Sequence, residues 1–409
     1  MVSDLAGEDV KKLYMSFKRR QFLILSGMVA SFSLAILLHK TFIEAKASKH
    51  SSSSASDSIV INTASQSNDS VSTNNKAPAP EGLFAPTRGN VRIVVISDLN
   101  SQYGSTSYEP EVARAIALIP DWEPDLVVGG GDMVAGQNPS LTRQQIQAMW
   151  AGFDRQVGAP LRRANLPFGF TIGNHDASAA LAVSGKYLFP NERELATAHW
   201  NNPKHDPGLQ FVDRAKFPFY YSFQKNDIFY LVWDASTAKI LPEQLTWVER
   251  SLASPIAQGA KMRIAIGHLP LYAVAVGRDE PGEILDNADK LRSLLERYRV
   301  HTYISGHHHA YFPGHRGQLE LLHTGALGGA PRPLLNSNLA PQKTLTVVDI
   351  NLGSASTTYT TYDMTNLKLV DHLKLPRIIV GPNGIVLRRD VQWNDLTPEE
   401  KSLSYTPSN

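Results

Sequence analysis

The chain has 409 residues, of which 42% are hydrophobic, 19% charged and none cysteine. That composition is too apolar for disorder along the whole length. The missing thiols exclude disulfides, iron–sulfur clusters, thiolate zinc sites and a cysteine nucleophile. The formal net charge of +2 is unevenly spread: seven Lys/Arg against four acids fall in residues 1–47. The rest of the chain is therefore nearly neutral, and non-specific nucleic-acid binding is not expected.

Residues 1–21 form a basic leader ending in Lys18, Arg19 and Arg20. Phe22 to Leu38 follows as 17 residues without a charge, the lower limit for spanning a hydrocarbon core of about 30 Å. Positive charge before the run predicts a cytoplasmic amino terminus and a body exported to the periplasm or the extracellular side. A cleaved signal peptide is the main alternative, since Ala45-Lys46-Ala47 has the small-x-small form of a cleavage site. A buried core helix is the third. Residues 39–88, rich in Ser, Asn, Thr and Pro, bury too little apolar surface to offset their ordering entropy and read as a disordered tether.

From residue 89 to about 362 short β-branched runs alternate with helical ones. Strands are expected at 91–97, 125–130, 168–173, 262–267, 301–305 and 319–323. Helices are expected near 110–119, 140–158, 242–253 and 284–299. The runs 220–224 and 228–234, split by Lys-Asn-Asp, read as a hairpin, and two antiparallel strands are expected after 340. Such a mixture predicts an α/β domain with mixed sheets. Residues 363–409 are left as an extension with one hairpin across Gly381-Pro382-Asn383-Gly384.

The chemistry sits at the strand ends. The first run closes on Ser97-Asp98-Leu99-Asn100 and the second on Gly131-Asp132. The third closes on Gly173-Asn174-His175-Asp176, the fourth on Gly267-His268, the fifth on Gly306-His307-His308-His309. Ligand sites in α/β sheets form at the carboxyl ends of strands, so these groups are expected in one pocket of oxygen and imidazole donors. Singly, Gly-Asp is an ordinary turn, Asn-His-Asp a helix N-cap and His-x-His a surface pair. Together they have no common reason except a metal site.

This series resembles the calcineurin-like metallophosphoesterases, a superfamily that includes purple acid phosphatases and many phosphodiesterases. The likeness covers about residues 91–330, with the closing strands to 362. It implies a four-layer α/β/β/α sandwich with two metals at the sheet ends. It further implies Asp98 and His309 on the first metal, Asn174, His268 and His307 on the second, and Asp132 bridging them. His175 is implied as the proton donor to the leaving group, with Asp176 orienting its ring. Two cations about 3.5–4 Å apart can clamp a phosphate and activate water for in-line attack. Mixed N/O donors suit Mn, Fe or Zn.

One position departs from the family pattern. The first motif usually ends in His, here Asn100. Purple acid phosphatases compensate with a Tyr three residues after the Gly-Asp aspartate, and that position is Ala135. Asn100 is expected to ligate directly or through water; the alternative is a turn residue capping local backbone. His308 should face away from the metals, and His323 is either near the pocket or structural. Gln102, Tyr103 and Tyr108 should reach the pocket rim. His199 and His205 read as surface-loop residues, Trp233 and Asp234 as structural, and Arg278 as a candidate for a substrate anion. The reading is a metal-dependent phosphomonoesterase on a small-molecule ester. The alternatives are a phosphodiesterase on nucleotides or lipid headgroups and a non-catalytic phospho-ligand or partner-binding module. Oligomeric state is not readable.

Overall fold

The computed structural model describes residues 77–407. The leader, the uncharged run Phe22–Leu38 and most of the expected tether lie outside them. Among the described residues no helix is long and apolar enough to cross a membrane.

Two mixed sheets share one hydrophobic core. The first runs β13-β12-β11-β1-β2-β3, and its centre is β1 (Val91–Ile96), β2 (Leu126–Gly129), β3 (Phe168–Phe170) and β11 (Thr344–Asn351). Strands β1, β2 and β3 pair in parallel, while β11 and β12 (Ser356–Asp363) run antiparallel beside them, with β13 (Lys368–Leu369) at the edge. The second sheet runs β14-β15-β9-β10-β8-β7-β6-β5-β4. Within it β6 (Ile228–Val232), β7 (Met262–Ile266), β8 (Thr302–Ser305) and β10 (Leu319–His323) are parallel. The expected hairpin of β5 (Tyr220–Lys225) with β6 forms in register across Lys225-Asn226-Asp227. Val91 to Ile96 is buried at every residue, as expected of a central strand covered on both faces. Tyr221 of β5 ties the two sheets: its hydroxyl donates to the Phe170 carbonyl at 2.6 Å and accepts from the Phe170 amide at 3.1 Å.

Helices form where the apolar spacing is helical. In α1 (Pro110–Leu118) Val112, Ala115 and Ile116 are buried, and in the helix Ala288–Arg297 Leu291, Leu294 and Leu295 are. Helix α2 (Arg143–Phe153) starts on a Thr142–Gln145 capping box. The stretch around His199 and His205, read as surface loop, contains helix α3 (Pro190–Trp200) and leads into strand β4 (Gln210–Lys216). His199, expected on the surface, is buried on α3 and stacked on Trp150, with the His205 ring 4.0 Å away. The aromatic cluster of Trp150, Phe153 and Trp200 holds this helix where composition suggested a polar loop.

Two expected boundaries move. The last dozen residues of the tether are pinned to the body rather than free. Arg92, fully buried in β1, donates to the carbonyls of Pro78, Pro86 and Trp122, and Tyr362 donates to that of Phe84. The tail is built into both sheets, through β13 and through the hairpin β14 (Ile378–Gly381) and β15 (Gly384–Arg388), which pairs with β9 (Phe312–Arg316). The Arg92 charge is matched by Asp349 of β11 in a two-pronged pair, 2.9 and 3.0 Å. Removing one partner of such a pair leaves a buried charge uncompensated. Asp349→Ala is therefore expected to lower stability by about 3–5 kcal/mol, read from the urea midpoint. A loss under about 1 kcal/mol would show that the pair does not hold this junction.

Candidate metal centre

The carboxyl ends of β1, β2 and β3 face those of β7 and β8, and the residues that follow these five strands meet. Asp98, Asp132 and His309 place one ligand atom each within 4.8 Å of one another. Beside them, the Asn174 side-chain oxygen lies 2.8 Å from His268 Nε2 and 2.9 Å from His307 Nδ1. The turns that deliver these groups are strained. Asp98, Asp132, His307 and His309 all adopt positive φ, between 50° and 65°. For L-residues that conformation costs on the order of 1 kcal/mol each, and it persists where the surroundings over-determine it. Gly173 allows the third turn to press on the second: a Cβ there would collide with the Asp132 carboxylate.

Hydrogen bonds fix the ring tautomers. His268 Nδ1 lies 2.8 Å from the Gly130 carbonyl, which only accepts, so Nδ1 carries the proton and Nε2 of the neutral ring is bare. His307 Nε2 is held at 2.8 Å by Glu283, leaving Nδ1 bare. His309 Nδ1 is held at 3.0 Å by the Ala330 carbonyl, leaving Nε2 bare at 3.3 Å from Asp98 Oδ1. The Asn174 amide is oriented by Gln137, whose side-chain oxygen takes its NH2 at 2.6 Å. With these rings neutral, lone pairs point at lone pairs: His268 Nε2 and His307 Nδ1 at Asn174 Oδ1, His309 Nε2 at Asp98. Asp132 Oδ2 is buried with no hydrogen-bond partner at all, 3.4 Å from His268 Nε2. Acceptors gathered this way need positive charge between them, and carboxylate, amide oxygen and imidazole are the donors that Mn, Fe or Zn accept.

The electrostatics agree. Burial opposes the charge on Asp132, but the His268 and His175 imidazoles and the His175 amide outweigh it and hold the carboxyl well below its ordinary range. Asp98 is likewise lowered, its burial outweighed by His309. His268, although buried, is lifted to about 9 by Asp132 and Asp98, so without an ion a proton serves as the missing cation. Burial takes His307 down to about 4.

Asn100 is buried beside this group, its main-chain amide donating to the Asp132 carbonyl at 3.1 Å. Its side chain makes no hydrogen bond among the described residues, so it does not cap the local backbone. His175 sits at the rim, with Nδ1 3.1 Å from the Gly136 carbonyl, Nε2 3.9 Å from Asp132 Oδ2 and the Tyr103 ring 5.3 Å away. Asp176 corrects the reading from sequence. Its two oxygens accept from the amides of Val134 and Gly173, both at 2.8 Å, so it clamps two loops together and does not orient the His175 ring. Burial and the Asp132 charge push its carboxyl up to about 8.

The remaining candidates separate cleanly. His308 is tied to the Val274 amide and the Glu283 carbonyl, away from the donor group. His323 is buried with neither ring nitrogen partnered. Tyr108 donates to the Met133 carbonyl and packs on the core, whereas Tyr103 is exposed against His175. Asp234 pairs with Arg193 at 2.9 Å, and Arg278 pairs with Glu283. Four supporting groups escape a reading of the sequence: Glu283 behind His307, Gln137 behind Asn174, the Gly136 carbonyl behind His175, and Glu192. Glu192 is buried on α3, accepts from the Gln137 amide at 2.9 Å and is raised to about 7 by burial. It thereby fixes the loop that orients both Asn174 and His175. Only the charge-rich GRDEPGE stretch hints at any of them.

Two sheets with a candidate metal site at their strand ends define this architecture, and a family profile agrees with it. The calcineurin-like phosphoesterase family profile matches residues 91–311. The chain belongs to that family. A probable purple acid phosphatase 20 of Arabidopsis thaliana is 24% identical over 229 residues, 55% of this chain and 47% of that protein. Among solved structures, a purple acid phosphatase from yellow lupin (Lupinus luteus) seeds is 16% identical, with a TM-score of 0.48 over 70% of this chain and 54% of that one. GAP50 of Plasmodium is 13% identical, with a TM-score of 0.42 over 68% of this chain and 86% of that one. The chain thus spans about half the length of the phosphatases it matches.

Proposed function

We propose that this chain is a metal-dependent phosphoester hydrolase acting on small-molecule phosphomonoesters. The observation that carries the reading is the set of acceptors left facing one another around Asp132 Oδ2 and Asn174 Oδ1. Asp98, His309 and Asn100 would hold one ion, Asn174, His268 and His307 a second, with Asp132 shared. Two cations so held supply the charge that neutralises phosphoryl oxygens and the acidity that turns water into a nucleophile. Glu283, Gly130 and Ala330 keep the imidazoles in the tautomers that leave the inward nitrogens bare.

His175 supplies the proton. With Nδ1–H held by the Gly136 carbonyl, the imidazolium carries its second proton on Nε2, on the Asp132 side. Release of that proton to the leaving oxygen yields the neutral tautomer that Gly136 already favours, so the ring need not turn. Export and membrane attachment through Phe22–Leu38 belong to the same proposal, on the charge asymmetry of the leader.

Elemental analysis of the purified chain, with parallel turnover of p-nitrophenyl phosphate and its bis-ester, tests the reading. About two metals per chain and preference for the monoester are expected. Preference for the bis-ester makes it a diesterase. No bound metal after incubation with Mn, Fe or Zn transfers the assignment to the non-catalytic binder that Asn100 and Ala135 suggest. Asn100→His is expected to retain activity and to raise metal occupancy, since imidazole is a better donor than an amide oxygen for these ions. Loss of turnover at unchanged metal content would remove position 100 from the site.

A further inference from the structure

Beside the centre the loops at 275–283 and 330–335 lie against each other, joined by the Ala275–Leu334 bridge and by the Val276 amide donating to the Pro333 carbonyl. Each contributes an arginine. Arg278 pairs with Glu283, but the same Glu283 oxygen also holds His307 at 2.8 Å, so that one carboxylate is already committed to an imidazole. Arg332 has no carboxylate in ion-pair contact among the described residues. Its Nη1 reaches only the Val276 carbonyl, at 3.5 Å, and a Cβ on Gly277 would lie 3.1 Å from that atom. The Arg332 amide donates to the His309 carbonyl, which places this residue one strand-width from the donor group. Burial and the Arg278 charge both work against the Arg332 guanidinium, and Nε of both arginines is buried without a partner. Two partly buried guanidinium groups on adjoining loops, with Glu283 already held by His307, are an arrangement that an anion would complete.

We infer that Arg332 and Arg278 form an anion subsite on the rim of the centre, which takes a second phosphoryl group carried by the substrate's leaving portion. Two guanidinium forks match a phosphate dianion better than a single carboxylate. The inference rests on the phosphoesterase reading and narrows its substrate class from simple monoesters to bisphosphorylated small molecules. The subsite contributes binding and orientation; the bond cleaved remains the ester at the metal-facing phosphate.

The test compares a sugar monophosphate with the corresponding sugar bisphosphate on the metal-loaded full chain and on Arg332→Gln and Arg332→Lys. The wild type should prefer the bisphosphate in kcat/KM by about 10- to 100-fold, the range of a charge-assisted contact. Arg332→Gln should remove that preference while changing monophosphate turnover less than about threefold, and Arg332→Lys should restore part of it. Equal preference in wild type and Arg332→Gln, or equal losses on both substrates, would overturn the subsite. Should neither substrate turn over, the hydrolase reading fails and calorimetric binding decides the subsite separately. Tighter binding of the bisphosphate that depends on Arg332 upholds it; equal binding of the two sugars ends it.

Discussion

Asp132→Asn is expected to abolish most turnover while leaving the fold intact. The side chain is 1% exposed, Oδ1 accepts from the His175 amide at 2.8 Å and Oδ2 has no partner. The substitution keeps the shape and removes the carboxylate that the proposed assignment shares between the two ions. A loss of roughly 4 kcal/mol of charge stabilisation corresponds to about a 10³-fold fall in kcat. Metal content should drop from about two per chain to one or none. The surroundings that hold the Asp132 carboxyl well below its ordinary range contribute stability at neutral pH, so the metal-free variant is expected to unfold earlier than the metal-free wild type. What disappears is the rise in melting temperature on adding metal, because binding to the native state alone is what produces that rise. A variant that keeps two metals and its turnover would falsify the shared-ligand assignment.

His175→Ala is expected to separate substrates by leaving group. General acid catalysis contributes typically 10²–10⁴-fold, and only where the departing oxygen needs the proton. Alkyl phosphates should lose about that much, whereas p-nitrophenyl phosphate, with its acidic phenol, should lose less than about tenfold. Metal content should change little, since Nδ1 is held by the Gly136 carbonyl and Nε2, although on the Asp132 side, stands 3.9 Å from Asp132 Oδ2. Equal losses on both substrates would assign His175 to positioning. Asp176→Asn makes an informative companion. Its carboxylate binds the Val134 and Gly173 amides, so it is expected to disturb both substrates alike through the two loops.

The donor residues are legible in the amino-acid sequence because each follows an apolar run directly. A strand announces itself by β-branched composition, and its carboxyl end is where the next residues must turn. Asp98, Asp132, Asn174, His268, His307 and His309 all occupy such positions, so their convergence follows from parallel β1–β2–β3 and β6–β7–β8. Asp176 is misread from sequence because adjacency along the chain does not tell which way a carboxylate turns. Its partners lie across the Asp132 loop. His199 is misplaced because Asn, Pro and Lys around it outweigh one aromatic pair in composition, whereas Trp150, 49 positions earlier, decides its burial.

Local pattern, then, carries the strands, the donor types and the family, because periodicity and turn chemistry act over a few residues. The tertiary structure alone decides which groups stand behind the donors. Glu283, Gln137, Glu192 and the Gly136 carbonyl reach His307, Asn174 and His175 across loops that no spacing rule connects. Arg92 joins Asp349, 257 positions away, to close the first sheet over the end of the expected tether. Long-range contacts of this kind are set by how two sheets pack over one core, and packing is a property of the whole chain rather than of any segment.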